Sequence, residues 1–121
     1  MKEKGIICIL AGNPPSDPKT AEKFYKWIDE VHLNDLLKFE GIRKATSYRR
    51  VTDIAPLHPT DTKYPDFITI FEFKDKKACQ DYLTSPARLA GMKDGEATWG
   101  TEIGAKKVWS VLYEPTKSVG K

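Results

Sequence analysis

The sequence predicts an α+β fold of four strands and two helical regions, in the order β-α-β-β-α-β. Three observations carry this. Segments 5–12, 42–51, 66–74 and 107–114 are short and rich in Ile, Val, Thr and aromatic residues, as strands are. Between the first and second, apolar residues recur at three- and four-residue spacing, the period of a helix with one buried face, and between the third and fourth Asp75 offers an N-cap to a second helix. The 121 residues contain 40% hydrophobic and 31% charged side chains, which is the balance of one soluble domain with a core of its own. The domain is expected to span 1–121, with its core at 5–114 and a tail at 115–121.

The first strand runs through Ile6, Ile7, Cys8, Ile9 and Leu10 and is stopped by Gly12-Asn13-Pro14-Pro15. Helix one begins after Ser16 or Asp17, with Pro18 in its first turn, and carries Ala21, Phe24, Ile28, Val31 and His32 on one side. Its periodicity extends through Leu36 and Leu37 until Gly41 ends it. Ile42–Val51 is strand two. Asp66–Lys74, reading Asp-Phe-Ile-Thr-Ile-Phe-Glu-Phe-Lys, is the clearest strand of the chain. Asp75 is a natural N-cap for a second helix over Lys76–Leu83, and Ser85-Pro86 restarts a short helical turn through Leu89. Gly91, Gly95, Gly100 and Gly104 are expected to break up the next stretch, before Lys107–Glu114 forms strand four.

This order is the ferredoxin-like plan. Two helical regions cover only one face of a four-stranded sheet. Phe67, Phe71 and Phe73 nevertheless alternate with Ile68 and Ile70, and Trp109, Val111 and Tyr113 alternate with Val108 and Leu112, so both faces are apolar. A second copy of the same sheet is the economical cover for the other face, which predicts a two-fold homodimer.

Twenty Lys+Arg against 17 Asp+Glu leave a net charge of +3, scattered along the chain and interrupted by apolar or acidic residues, so nucleic acid is not expected as a partner. The apolar run at 6–11 is too short for a signal peptide and is followed by no small-x-small cleavage site, and no stretch is long enough to cross a membrane. A cytoplasmic protein with Cys8 and Cys79 as reduced core thiols is the expectation. The two His and two Cys are too widely spaced to form a metal-ligand set, and no phosphate-binding or dinucleotide glycine motif and no serine nucleophile elbow is present. No metal and no cofactor are therefore expected.

Trp27-x-x-x-x-His32, followed by Gly41-Ile42-x-x-Ala45-x-x-Tyr48, resembles the dimeric α/β-barrel superfamily and particularly its EthD-like members. Phe71-Glu72-Phe73-x-Asp75, then Gln80-Asp81-Tyr82-x-x-x-Pro86-Ala87, is similar to the corresponding stretch of olivetolic acid cyclase-like stress-responsive barrels. The resemblance spans residues 5–114. It implies a dimeric α/β barrel with a pocket between sheet and helices for small hydrophobic, often aromatic or polyketide-derived molecules. It also implies a chemistry class: proton transfer near a stabilised enolate or phenolate, as in cyclisation, decarboxylation, dehydration, lactone isomerisation or cofactor-free oxygenation.

Carried over by this resemblance, His32 is the first candidate for general acid/base, because an imidazole exchanges protons near neutral pH. The competing reading is a hydrogen-bonded packing residue at a helix end. Tyr82 is the second catalytic candidate, a phenol that would hold a substrate carbonyl and stabilise the oxyanion, against the alternative of an amphipathic core tyrosine. The cyclase-like pattern has a histidine near the position that Arg88 occupies, so that imidazole is missing; Arg88 either clamps a carboxylate or enolate or caps the surface, the surface role being preferred. His58 and Tyr64, in the long Pro-rich connection 52–65, would close over the pocket mouth or belong to a rigid exposed hairpin. Tyr48 and Thr69 would supply polar points on the sheet, and Phe71, Trp99 and Trp109 apolar walls, with Trp99 equally suited to a dimer contact.

The reading that results is a small cofactor-free enzyme of lyase, cyclase or isomerase type acting on a hydrophobic aromatic or polyketide-like molecule, with turnover itself left open. Its alternatives are a ligand-binding barrel without turnover and a cofactor-independent, quinone-forming monooxygenase.

Overall fold

A computed structural model describes residues 5–59, 63–99 and 108–121. The elements follow the expected order: β1 (Ile6–Gly12), α1 (Pro18–Trp27), a π-helical turn (Ile28–His32), α2 (Leu33–Leu37), β2 (Ile42–Arg49), β3 (Phe67–Phe73), α3 (Lys76–Leu83), α4 (Pro86–Trp99) and β4 (Val108–Tyr113). The strands form one four-stranded sheet in the order β2-β3-β1-β4, with every neighbouring pair antiparallel. This is the ferredoxin-like arrangement.

Local chemistry sets the helix starts. The Asp17 carboxylate accepts from the Thr20 amide at 3.0 Å and from its hydroxyl at 2.7 Å, with Pro18 at the first helical position. Asp75 caps α3 through the Ala78 amide at 2.7 Å. The helix after Ser85 runs to Trp99 and does not stop at Leu89; Gly91 and Gly95 lie inside α4. Glycine in a helix costs only about 1 kcal/mol relative to alanine, and strong helix formers such as Leu89, Ala90, Met92, Glu96 and Ala97 offset it. The expected breaks at Gly100 and Gly104 and the start of strand four at Lys107 lie outside the described residues.

Strand register assigns the two faces of the sheet. Leu10 pairs with Thr69 and Thr69 with Ser47, which places Ile6, Cys8 and Leu10 with Phe67, Thr69, Phe71 and Phe73 on the side covered by the helices. The larger cluster on that side is built from Ile6, Cys8, Leu36, Ile42, Phe71, Phe73, Ala78 and Cys79, and a smaller one from Phe24, Ile28 and Phe67. Full burial of an aromatic such as Phe73 stabilises by about 1.5–3 kcal/mol. The opposite parity, Ile7 and Ile9, Ile68 and Ile70, Tyr48, and Trp109, Val111 and Tyr113, forms a sheet face that no helix among the described residues covers. Trp109 and Tyr113 are each about half exposed there.

Gly41, at the turn from α2 into β2, is required by close approach. A Cβ at this position would lie 2.6 Å from the Phe39 ring and 2.7 Å from the Ala78 methyl, while the Gly41 carbonyl accepts from the Lys74 amide at 2.8 Å. The turn pins α2 and α3 to the edge of the sheet next to Tyr82.

Candidate functional site

Thr69 lies at the centre of the helix-covered side of β3, between Phe67 of the smaller apolar cluster and Phe71 of the larger. The residue is completely buried, and its hydroxyl has no hydrogen-bond partner among the described residues. Burial of an unpaired hydroxyl costs about 1–3 kcal/mol, and such a group in a folded chain calls for an explanation.

Above the sheet, the π-helical turn supplies the neighbouring polar groups. The Leu33 amide reaches back to the Ile28 carbonyl, an i→i+5 hydrogen bond that widens the turn. Asp29 of this turn accepts a 2.6 Å hydrogen bond from the Ser47 hydroxyl on β2 and an ion pair from Arg49 at 3.5 Å. The Arg49 guanidinium also lies 4.2 Å from the centre of the Tyr25 ring. Ser47 is the register partner of Thr69, so the helix is tied to the sheet beside the unpaired hydroxyl. His32, partly buried, ends the same turn and stacks on Trp27, with ring centroids 5.2 Å apart. Trp27 packs in turn against the Phe24–Ile28–Phe67 cluster.

Tyr82 projects from α3 against the larger cluster and meets Phe39, Phe71 and Phe73 at ring-centroid distances of 5.1, 6.2 and 5.4 Å. Burial pushes its phenol above the ordinary tyrosine range; the Arg88 charge pulls it back in part, and Cys8 adds to the rise. Arg88, at the start of α4, donates from Nη1 to the Leu83 carbonyl at 3.1 Å, at the C-terminal end of α3. Cys8 lies on the same side of the sheet, and burial, with a smaller contribution from Cys79, pushes its thiol up to about 11.

The remaining expected site residues fall elsewhere. Phe71 is buried core on the helix side, whereas Tyr48 and Trp109 lie on the open face, 48% and 52% exposed, with the sheet between them and Thr69. His58 and Tyr64 are exposed in the connection between β2 and β3, where the Tyr64 hydroxyl donates to the His58 carbonyl at 3.5 Å. A solvent-open groove of about 870 Å³ runs under this connection, bordered by Tyr48, Ile54, Leu57, Tyr64, Phe67 and Ile68; neither His32 nor Tyr82 lines it. The side chain of Trp99 lies outside the described residues. Sequence reasoning missed Asp29, Ser47 and Ser85. Spacing gave no signal for the first two, because their contact depends on the pairing of β2 with β3 and on the widened turn. Among the described residues no group of three His, Cys, Asp or Glu side chains is placed to hold a metal, and no helix is long and apolar enough to cross a membrane.

No family model matches the chain, and no curated protein matches it. Solved structures do. An ethyl tert-butyl ether d (EthD) family protein from Bacillus halodurans C-125 is 17% identical with a TM-score of 0.68, over 93% of this chain and 99% of its own. A variant of SnoaB, a cofactor-independent oxygenase from Streptomyces nogalater, is 12% identical with a TM-score of 0.62, over 98% of this chain and 99% of its own. A dimeric ferredoxin-like protein of unknown function from Thermobifida fusca YX is 12% identical with a TM-score of 0.57, over 95% of this chain and 94% of its own. The chain therefore has the ferredoxin-like fold, expected from the order of its elements and shared with these structures along almost its whole length.

Proposed function

We propose that this chain is a small, cofactor-free cytoplasmic enzyme that binds a hydrophobic aromatic or polyketide-like molecule between the helices and the sheet and acts on it by proton transfer. The observation that carries this reading is Thr69: a completely buried hydroxyl without a partner among the described residues, set between two apolar clusters, fits a site whose polar point is met by a ligand. His32, held against Trp27, serves as general acid/base, and Tyr82 as the donor that stabilises the developing oxyanion. A high phenol pKa keeps Tyr82 protonated at neutral pH, the state in which it donates. Two copies assemble through the open sheet faces, with Ile9, Ile70, Trp109 and Val111 at the contact. That the Thermobifida fusca protein of the same fold is dimeric supports this assembly.

Nuclear magnetic resonance titration with a panel of small aromatic ligands tests the location. Binding should shift the amides of Thr69, Ser47 and Leu10, and those of the Ile28–His32 turn, more than Tyr48 and Trp109. The largest shifts at Tyr48, Tyr64 and Ile54 would move the site to the groove beneath the β2–β3 connection and overturn the reading. Light scattering should give twice the chain mass of 13.7 kDa. Ligand binding at Thr69 without turnover of any panel member would favour the binding barrel over the enzyme.

The likeness to SnoaB favours cofactor-independent oxygenation as a second reading. Dialysed protein consuming dioxygen with an electron-rich phenol would select it over lyase or isomerase chemistry.

A further inference from the structure

The widened turn Ile28–His32 buries Ile28, while Asp29, Glu30 and Val31 are exposed. Apolar packing grips the helical segment on either side of these three residues, because Ile28 belongs to the smaller cluster and Leu36 to the larger. On a regular α-helix the eight positions from Ile28 to Leu36 would leave the two side chains about 80° out of line. The i→i+5 hydrogen bond takes up that difference, so both reach clusters on the same side of the sheet. The core therefore holds the turn at Ile28 and again at Leu36, and leaves the three residues that lead into His32 outside it.

Polar contacts hold this middle part. Ser47 and Arg49 stand two apart on β2 and share its helix-covered face, while Tyr25 and Asp29 stand four apart on the helical segment, about one turn above each other. The two pairs meet at both ends. Ser47 Oγ donates to Asp29 Oδ1 at 2.6 Å, and the guanidinium carbon of Arg49 lies 4.2 Å from the centre of the Tyr25 ring. Arg49 also links the pairs, with its Nη2 3.5 Å from Asp29 Oδ2. One residue further along the turn, the Glu30 carbonyl accepts from Asn34 Nδ2 at 2.9 Å. Asp29 is thus tied to an edge strand of the sheet, three positions before the imidazole that stacks on Trp27 at 5.2 Å.

We propose that Asp29 is a positioning residue for His32, with Ser47 as its anchor on the sheet: their hydrogen bond holds the widened turn in the form that lays the imidazole against Trp27. The importance of this placement for chemistry rests on the role proposed above for His32, whereas the placement itself does not depend on turnover. A hydroxyl donating to a carboxylate is a charge-assisted hydrogen bond, about twice as strong as a neutral one, which suits a tie made at an exposed turn. Its loss leaves Ile28 and Leu36 in their clusters, so the turn relaxes and the imidazole leaves the indole while the domain stays folded.

Proton magnetic resonance of the imidazole ring in the full chain tests this. The ring current of the stacked indole shifts the His32 ring protons upfield, and with two histidines in the chain His58→Ala assigns them. Unfolding in urea gives the unstacked position of the same signals. Ser47→Ala and Asp29→Ala should each move the His32 signals at least halfway to that position, with melting curves showing folded protein, and the double variant should move them no further than either alone. Ser47→Thr, which keeps a hydroxyl on a residue suited to a strand, should hold them at the parent position. Unmoved signals in folded Ser47→Ala or Asp29→Ala, or a Ser47→Thr chain that behaves like Ser47→Ala, overturn the positioning role and leave the site proposed above standing. Displaced His32 signals in Ser47→Ala, together with aromatic ligands that shift only the groove beneath the β2–β3 connection, support the positioning of the ring and overturn the proposed site.

Discussion

The indole of Trp27 and the imidazole of His32 are stacked, 5.2 Å between centroids and 21° between planes, although they stand five positions apart in the chain. On a regular α-helix five residues rotate a side chain by about 140° away from the first. The i→i+5 hydrogen bond from Leu33 to Ile28 widens the turn and brings the two rings into line. π-Helical turns of this kind occur frequently at functional sites, and here the turn holds His32 on an ordered helix by a large flat neighbour.

Replacement of His32 by alanine should therefore lower turnover about a hundredfold or more, the usual size of a general acid/base contribution, with the circular dichroism spectrum and dimer mass unchanged. His58→Ala, in the exposed connection, should have little effect on the same steady-state rate. Near-normal turnover in folded His32→Ala would reassign the acid/base role, with Tyr82 the next group to replace.

Two glycines on the helix side should respond oppositely to the same substitution. Gly91 lies inside α4 with nothing within 4 Å of where a Cβ would stand, so Gly91→Ala should stabilise by up to about 1 kcal/mol through helix propensity and the unfolded chain's lost freedom. Gly41→Ala would drive a methyl into the Phe39 ring and Ala78, and should destabilise by about 1–3 kcal/mol through overpacking. Urea midpoints of the two variants, compared with the parent, measure both signs.

The strands and the cap at Asp75 were legible, and the first helix start was narrowed to Ser16 or Asp17, because alternation and capping are local: Phe67–Phe73 alternates residue by residue between the helix side and the open side. The length of α4 was not, because Gly91 and Gly95 read as breakers while the helix formers around them outweigh the penalty. Which parity faces the helices was likewise hidden. Thr69 and Trp109 both present themselves as sheet positions near a pocket, and only the register Ala11↔Trp109 and Leu10↔Thr69 places them on opposite faces. The Ser47–Asp29 hydrogen bond needed that register and a π-helical turn, neither of which a 3.6-residue period reveals.

Cys8 gives the fold a pH dependence with a definite sign. Its thiol is buried in the main cluster, and loss of that burial on unfolding lowers its pKa from about 11 to the ordinary 9.0. Above pH 9 the unfolded chain releases this proton while the folded chain keeps it, so unfolding gains free energy as pH rises. The contribution is fully present below pH 9 and is lost as pH climbs through about 11. Tyr82, whose phenol is also raised by burial, acts in the same direction at higher pH. Urea midpoints should accordingly fall between pH 9 and 11, and Cys8→Ala should flatten that fall, because it removes the thiol and leaves Tyr82 unchanged in both proteins. Equal slopes for parent and variant would show that Cys8 is not the group responsible. The same burial predicts slow reaction of the folded parent with an aromatic disulfide reagent at pH 8, accelerating to the rate of a free thiol once urea unfolds the chain.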